Sequence, residues 1–177
     1  MRLFLAVLLD EKMKNALRGV QNELRRRGVE GNYTRAENLH LTLAFIGEYP
    51  DPEAVTQALE GLCFAPFSLT LGGLGSFGEL WWAGLEASGE LDALVRRLRR
   101  ALADAAIPFD RKSFRPHVTL IRQPRFRTDP RLDTLRVPEA ETRVERVSLM
   151  LSTRGKNGMI YTELASVPAE KERQGDT

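Results

Sequence analysis

Only two histidines occur in this chain of 177 residues, and each begins the same tetrapeptide pattern. His40-Leu41-Thr42-Leu43 lies in the first half of the chain, and His117-Val118-Thr119-Leu120 lies in the second. Because imidazole titrates near neutral pH, one such group can act as an acid while another acts as a base. Threonine hydroxyls can hydrogen-bond the non-bridging oxygens of a phosphate. The paired motif therefore indicates chemistry that could split a phosphodiester.

Both tetrapeptides lie in apolar stretches that favour β-strands. Side chains alternate between the two faces of a strand, so each histidine shares a face with its threonine while the two aliphatic residues point the other way. The aliphatic residues would anchor the strand in a core. Two such strands side by side would bring two imidazoles and two hydroxyls into one site.

The elements between the motifs must position them. Asp10 and Asp51 are suitable N-caps for helices that run to about residues 28 and 62, and a third helix follows Ser88. Strands are predicted at 2–9, 38–46, 67–71, 80–85 and 118–121, and the glycine-rich segment 72–75 is expected to end the third of them. A final hairpin (144–152 and 159–165) is predicted around a four-residue loop, 155–158. We predict an α+β fold of two similar lobes, each a small antiparallel-dominated sheet backed by helices, with one motif from each lobe facing a central groove. Residues 1–167 would form this single bilobal domain, and 168–177 a disordered tail.

Composition narrows the functional classes. The net charge of +2 and the pI near 8.9 are compatible with an anionic partner. The single cysteine, Cys63, rules out an internal disulfide and suits a reducing cytosol, so we expect a cytoplasmic protein without a membrane segment. Two histidines and one distant cysteine fall short of the three or four ligands of a metal site, and no G-x-S-x-G motif occurs. No metal or other cofactor is expected, and the protein is expected to be a monomer.

Further candidates for substrate contact surround the motifs. Arg122, near the end of the second motif strand, could offset phosphate charge, and Arg115 precedes the same strand. Phe45 is a candidate platform for base stacking, although strict alternation places it on the core face unless the strand bends. Arg154 and Lys156 lie in the late hairpin, and we expect both side chains to lie on the surface outside the groove rather than in it.

The longer strings around the motifs resemble a known family. Glu37-Asn38-Leu39 followed by residues 40–47 is similar to the first motif of the bacterial and archaeal RNA 2′,3′-cyclic phosphodiesterases, which belong to the two-histidine phosphoesterase superfamily and were first described as 2′-5′ RNA ligases. Residues 114–122 resemble their second motif, and residues 2–6 and Tyr161 also fit. The chain departs from the family at Asn32-Tyr33, where members often carry Arg-Trp, and this departure leaves both histidines untouched.

The resemblance implies metal-independent opening of a 2′,3′-cyclic phosphate at an RNA end or nucleotide to give a 2′-phosphate. His40 would be the proton donor to the departing O3′, and His117 the base that activates water. Two alternatives stay open. One is a module of the same fold that binds nucleotide or RNA without turnover, and the other is 2′-5′ RNA ligation as the reverse reaction.

Overall fold

The structure, a computed structural model, describes residues 1–170. The helices of this part are α1 (Glu11–Arg26), α2 (Pro52–Ala58) and α3 (Gly89–Asp104). The strands are β1 (Arg2–Leu8), β2 (Glu30–Tyr33), β3 (His40–Glu48), β4 (Phe67–Phe77), β5 (Leu80–Leu85), β6 (His117–Arg125), β7 (Glu141–Val144), β8 (Arg146–Gly155) and β9 (Gly158–Pro168). Among the described residues, no helix has both the length and the apolar character needed to cross a bilayer.

The strands form two sheets in which every pairing is antiparallel. The first sheet has the order β3-β1-β8-β9, and the second has the order β2-β6-β5-β4-β7. Each sheet contains one of the two motif strands, because β3 begins at His40 and β6 begins at His117. This arrangement confirms the predicted α+β fold, with one H-x-T-L segment contributed by each sheet.

The three helices cover the sheets on the faces that carry the aliphatic residues of the motifs. Capping oxygens begin each helix: Asp10 accepts from the backbone N–H of Met13, and Asp51 and Ser88 do the same for α2 and α3. The apolar side of α1 packs with Val118 and Leu120 of the second sheet. Helices α2 and α3 instead pack with the alternate residues of β1, β3 and β8 in the first sheet. Each motif strand is thereby fixed from behind by a core.

Two predicted breaks differ from the structure. Strand β4 continues through the glycine-rich segment 72–75, and its ladder with β5 absorbs an irregularity between Leu71 and Leu74. Glycine is needed at position 72 because a side chain there would meet the backbone around Leu85. The final hairpin turns through two residues rather than four, because Gly155 and Gly158 still pair with each other and Gly158 has φ +115°.

The predicted tail begins too early. Strand β9 extends to Pro168, and the next two residues are tied by backbone hydrogen bonds, Ala169 N–H to Glu145 O at 2.7 Å and Glu170 N–H to Phe64 O at 2.8 Å. These bonds make residues 168–170 part of the folded chain, which corrects the boundary at 167. The rest of the predicted tail, 171–177, lies outside the described residues.

Candidate active site

The first motif strand changes face after its threonine. His40 and Thr42 point away from the core, and Leu41 is fully buried on the opposite side. In the ladder with β1, Leu5 is opposite Ala44 and Ala6 is opposite Thr42, so Leu43 is left without a partner. This β-bulge buries two consecutive residues and shifts the later alternation by one. Phe45 consequently faces the same side as His40, which corrects the core placement that strict alternation gave.

The second motif strand has the same bulge at the equivalent place. Trp81 pairs with Ile121 and Trp82 pairs with Thr119, so Leu120 is skipped, and Leu120 and Ile121 are both buried. The residue five positions after His117 is therefore turned to the histidine side. That residue is Arg122, the counterpart of Phe45 in the first strand.

These side chains line one cavity of about 850 Å³. Its lining includes both histidines, both threonines, Phe45 and Arg122. The cavity lies between β3 of the first sheet and β6 of the second, and it continues over β1, β8 and β9. Six of the seven predicted site residues thus share one concave surface, and Arg115 does not line it.

His40 is held in one orientation by hydrogen bonds to both ring nitrogens. Nδ1 lies 2.7 Å from the backbone oxygen of Asn38, and Nε2 lies 2.9 Å from Oγ1 of Thr42. A carbonyl oxygen can only accept, so Nδ1 must donate, and in the neutral ring Nε2 accepts from the threonine hydroxyl. Asn38 is itself fixed, since its side-chain amide donates to Met159 O at 2.9 Å. This framework makes Nε2 the atom through which His40 can exchange a proton with a ligand.

Burial and charge favour the neutral form of His40. The ring is packed between Phe4 and Tyr161, at centroid distances of 5.0 and 5.1 Å. Burial lowers the pKa of His40 below its usual value of 6.5, the hydrogen bond to Asn38 opposes this, and the positive charges of His117 and Arg122 lower the pKa further. An anion bound beside His40 would have the opposite effect and stabilise its protonated form.

His117 occupies a more open position against an aromatic corner. Its Nδ1 donates to the backbone oxygen of Arg115 at 2.7 Å, so the neutral ring presents an unprotonated Nε2. Phe77 meets the ring edge-on at 5.1 Å, and Trp82 lies 6.1 Å away. Within residues 1–170, no side chain hydrogen-bonds to Nε2 of His117. A bare, accessible nitrogen of this kind can accept a proton from water.

Arg115 and Arg154 lie in places that differ from those predicted. The guanidinium of Arg115 lies over Phe77, 6.0 Å from the ring centroid, so Arg115 serves His117 through its backbone oxygen. Arg154 lines the cavity although a position outside the groove was favoured, and Lys156 does not line it.

Several residues of the cavity wall carried no site prediction. Phe4 and Tyr161 enclose His40, and Asn38 connects the start of β3 to β9. Arg2 extends the wall, with its guanidinium 5.2 Å from the centre of the Phe45 ring. A signal was present for the bulges, because each threonine is followed by at least two consecutive apolar residues where alternation requires one. No local pattern links Tyr161 to His40, since their contact depends on how the β8–β9 hairpin folds over the sheet.

The described residues contain no group of three or more histidine, cysteine, aspartate or glutamate side chains that could hold a metal ion. Glu48 is the only carboxylate that this part of the chain contributes to the cavity lining. The side chains that the two motif strands bring to the cavity supply imidazole, hydroxyl and guanidinium groups. Such a set suits a phosphate ligand, whose oxygens accept hydrogen bonds from all three.

The fold and the paired motifs are those of the two-histidine phosphoesterases, as the sequence resemblance indicated. The chain belongs to the 2′-5′ RNA ligase superfamily, whose sequence profile matches residues 11–156. It is 31% identical to an RNA 2′,3′-cyclic phosphodiesterase of Thermotoga maritima over 176 residues, covering 93% of each chain. It is 36% identical to a Thermus thermophilus protein of the same name over 182 residues, covering 93% of this chain and 88% of the relative. The crystal structure of E. coli LigT shares the fold, with a TM-score of 0.78 at 24% identity over 96% of this chain and 98% of LigT.

Proposed function

We propose that the protein hydrolyses 2′,3′-cyclic phosphates at RNA ends to 2′-phosphomonoesters, without a metal ion. The observation that carries this proposal is the convergence of both histidines and both threonines on one cavity. The names of the Thermotoga maritima and Thermus thermophilus relatives support the same substrate class. RNA ends or nucleotides with a cyclic phosphate are the expected ligands.

In the proposed reaction, His117 accepts a proton from water through its free Nε2 as the water oxygen attacks phosphorus. The bond from phosphorus to O3′ breaks, and protonated His40 gives its Nε2 proton to O3′. The products are a 2′-phosphate and a 3′-hydroxyl. In-line displacement requires the entering and leaving oxygens to lie on opposite sides of phosphorus, and imidazoles from two strands that line the same cavity can act on both sides.

The remaining side chains bind the non-bridging phosphate oxygens, which take no part in the proton transfers. Thr42 and Thr119 donate hydrogen bonds to the non-bridging oxygens, and Arg122 offsets their negative charge. When the phosphate enters, the Thr42 hydroxyl exchanges its bond to His40 Nε2 for one to the ligand. The anion also opposes the burial and the Arg122 charge that lower the pKa of His40, so substrate binding favours the protonated acid.

The test is a hydrolysis assay on an oligoribonucleotide that ends in a 2′,3′-cyclic phosphate, in the presence of EDTA. The expected product carries a 2′-phosphate only, and its regiochemistry can be assigned by phosphorus NMR. Binding without any product would indicate a module without turnover. A 3′-phosphate product would mean that the bond to O2′ breaks instead, which contradicts the proposed placement of His40.

A further inference from the structure

We propose that the far end of the cavity binds the phosphate on the 5′ side of the terminal nucleoside, through Arg2 and Arg154. The protein would then act on cyclic phosphates that carry such a phosphate, as RNA ends do, in preference to free nucleoside cyclic phosphates. This inference rests on the proposed hydrolysis and adds the feature of the substrate that is recognised.

Both arginines lie on the catalytic face of the first sheet. In β1, Phe4 and Ala6 form an apolar floor beneath the cavity together with Met150 of β8, and Arg2 follows the same alternation. Arg154 follows the alternation of Met150 along β8. Arg2 is opposite Ser152, so Arg154 is its diagonal neighbour on the adjacent strand, at a spacing of about 7–8 Å. Two guanidinium groups are thus brought to one end of the cavity from adjacent strands.

Neither arginine at this end forms an ion pair with an acidic side chain of residues 1–170. Arg154 makes no ion pair within residues 1–170, and the Arg2 guanidinium rests on the Phe45 ring. The one carboxylate of the described lining, Glu48, lies 3.1 Å from the amino group of Met1. Glu48 is opposite Arg2 in the β1–β3 ladder, but its carboxylate pairs with the Met1 amino group, so the two guanidinium groups keep a net positive charge that an anion between them would offset.

The order of groups along the cavity matches the order of groups in a nucleotide. In the β1–β3 ladder, Thr42 is opposite Ala6, Phe45 is opposite Phe4, and Arg2 lies beyond them opposite Glu48. A cyclic phosphate between the threonines would place its nucleoside beside Phe45, where a base can stack. The next phosphate along the chain would then lie at Arg2 and Arg154. An aromatic ring between two phosphate-binding groups is the arrangement that a nucleotide with phosphates on both sides requires.

The experiment compares kcat/KM for four substrates with the same terminal adenosine. These are adenosine 2′,3′-cyclic phosphate, its 5′-phosphorylated form, the dinucleotide ApA with a terminal cyclic phosphate, and that dinucleotide with a neutral methylphosphonate linkage. We expect the 5′-phosphorylated form and the ordinary dinucleotide to be better than the nucleoside by about tenfold or more, the effect of a charge-assisted hydrogen bond. The methylphosphonate should lose that advantage.

Variants locate the effect. Arg154→Gln is the cleaner substitution, because Arg2 also contacts Phe45, and it should lower the ratio of dinucleotide to nucleoside kcat/KM by about tenfold. Arg154→Lys should recover part of the ratio because it keeps the charge. Arg100→Gln is the matched control, since it removes an exposed arginine from α3, on the opposite side of the first sheet, and should leave the ratio unchanged.

The outcomes separate this inference from the proposed function. If no substrate is hydrolysed, the proposed function fails. If all four are hydrolysed with equal kcat/KM, the function stands and the phosphate site is wrong. An advantage for the dinucleotide that the methylphosphonate retains, or that the 5′-phosphorylated form lacks, would assign the preference to the upstream nucleoside and overturn the roles of Arg2 and Arg154.

Discussion

The two motif strands have the same backbone design in different surroundings. Each begins with a histidine whose Nδ1 binds the carbonyl oxygen two residues earlier at 2.7 Å, and each bulges directly after its threonine. His40 is enclosed by two aromatic rings and bonded to Thr42, whereas His117 stands at an open corner with a free Nε2. The shared backbone directs Nδ1 of each imidazole to a carbonyl oxygen, and the surroundings differ at Nε2, which binds the Thr42 hydroxyl in His40 and no side chain of residues 1–170 in His117.

The bulges also place unlike residues at equivalent positions. Five residues after its histidine, the first strand supplies Phe45 and the second supplies Arg122. At this position the first motif strand therefore offers the cavity an aromatic face, and the second offers a positive charge. If the proposed reaction is right, the strand of the acid contacts the nucleoside while the strand of the base neutralises the phosphate.

Removing either histidine should have the largest effect. We expect His40→Ala or His117→Ala to lower kcat by at least about a hundredfold, because each loses a proton-transfer partner. The double variant should be little slower than the slower single variant, since the two groups act in one step. Binding of a 2′-phosphate product, measured by calorimetry, should change much less. Comparable losses of binding and turnover in both variants would contradict the acid–base assignment.

Substitutions of Arg122 and Phe45, the residues at equivalent positions of the two motif strands, should have the next largest effect on activity. Arg122→Gln removes the positive charge that would offset the negative charge of the phosphate. We therefore expect kcat/KM to fall by about tenfold or more, with a loss in kcat. Phe45→Leu keeps an apolar group but removes the stacking face, and about tenfold should appear mainly in KM. Steady-state kinetics on one cyclic-phosphate oligonucleotide separates the two. A kcat loss confined to Phe45→Leu would reverse the division of roles between the strands.

The different surroundings of the two motif strands could be predicted from the sequence only in part. The alternation of His40 and Thr42 against Leu41 follows from strand geometry, and the repeat of the motif predicts that two strands converge. The face of Phe45 could not be derived from alternation, because a bulge changes the parity and shows only as a second apolar residue, Ala44. The surroundings of His40 depend on Tyr161, more than a hundred residues away, whose position is set by sheet order rather than by local pattern.

A smaller effect concerns the proton on His40. Because the chain has two histidines, His117→Gln leaves His40 as the only imidazole to titrate by NMR. Its pKa should lie below 6.5 owing to burial, and Arg122→Gln in the same background should raise it by removing a nearby positive charge. Inorganic phosphate should raise it too. A pKa that does not respond to either change would exclude the coupling between substrate binding and protonation of the acid.

The smallest expected effect is on stability against pH. The folded-state pKa of His40 is lowered, so the unfolded chain takes up a proton on this side chain at a higher pH than the folded protein does. The contribution of neutral His40 is present above pH 6.5, and it is lost as the pH falls from 6.5 to the lowered pKa. His40→Gln should remove this slope from a plot of Tm against pH. His117→Gln should leave a shallower one, because the His117 charge is one cause of the lowered pKa. Equal slopes in the wild type and His40→Gln would show that burial does not lower the pKa of His40.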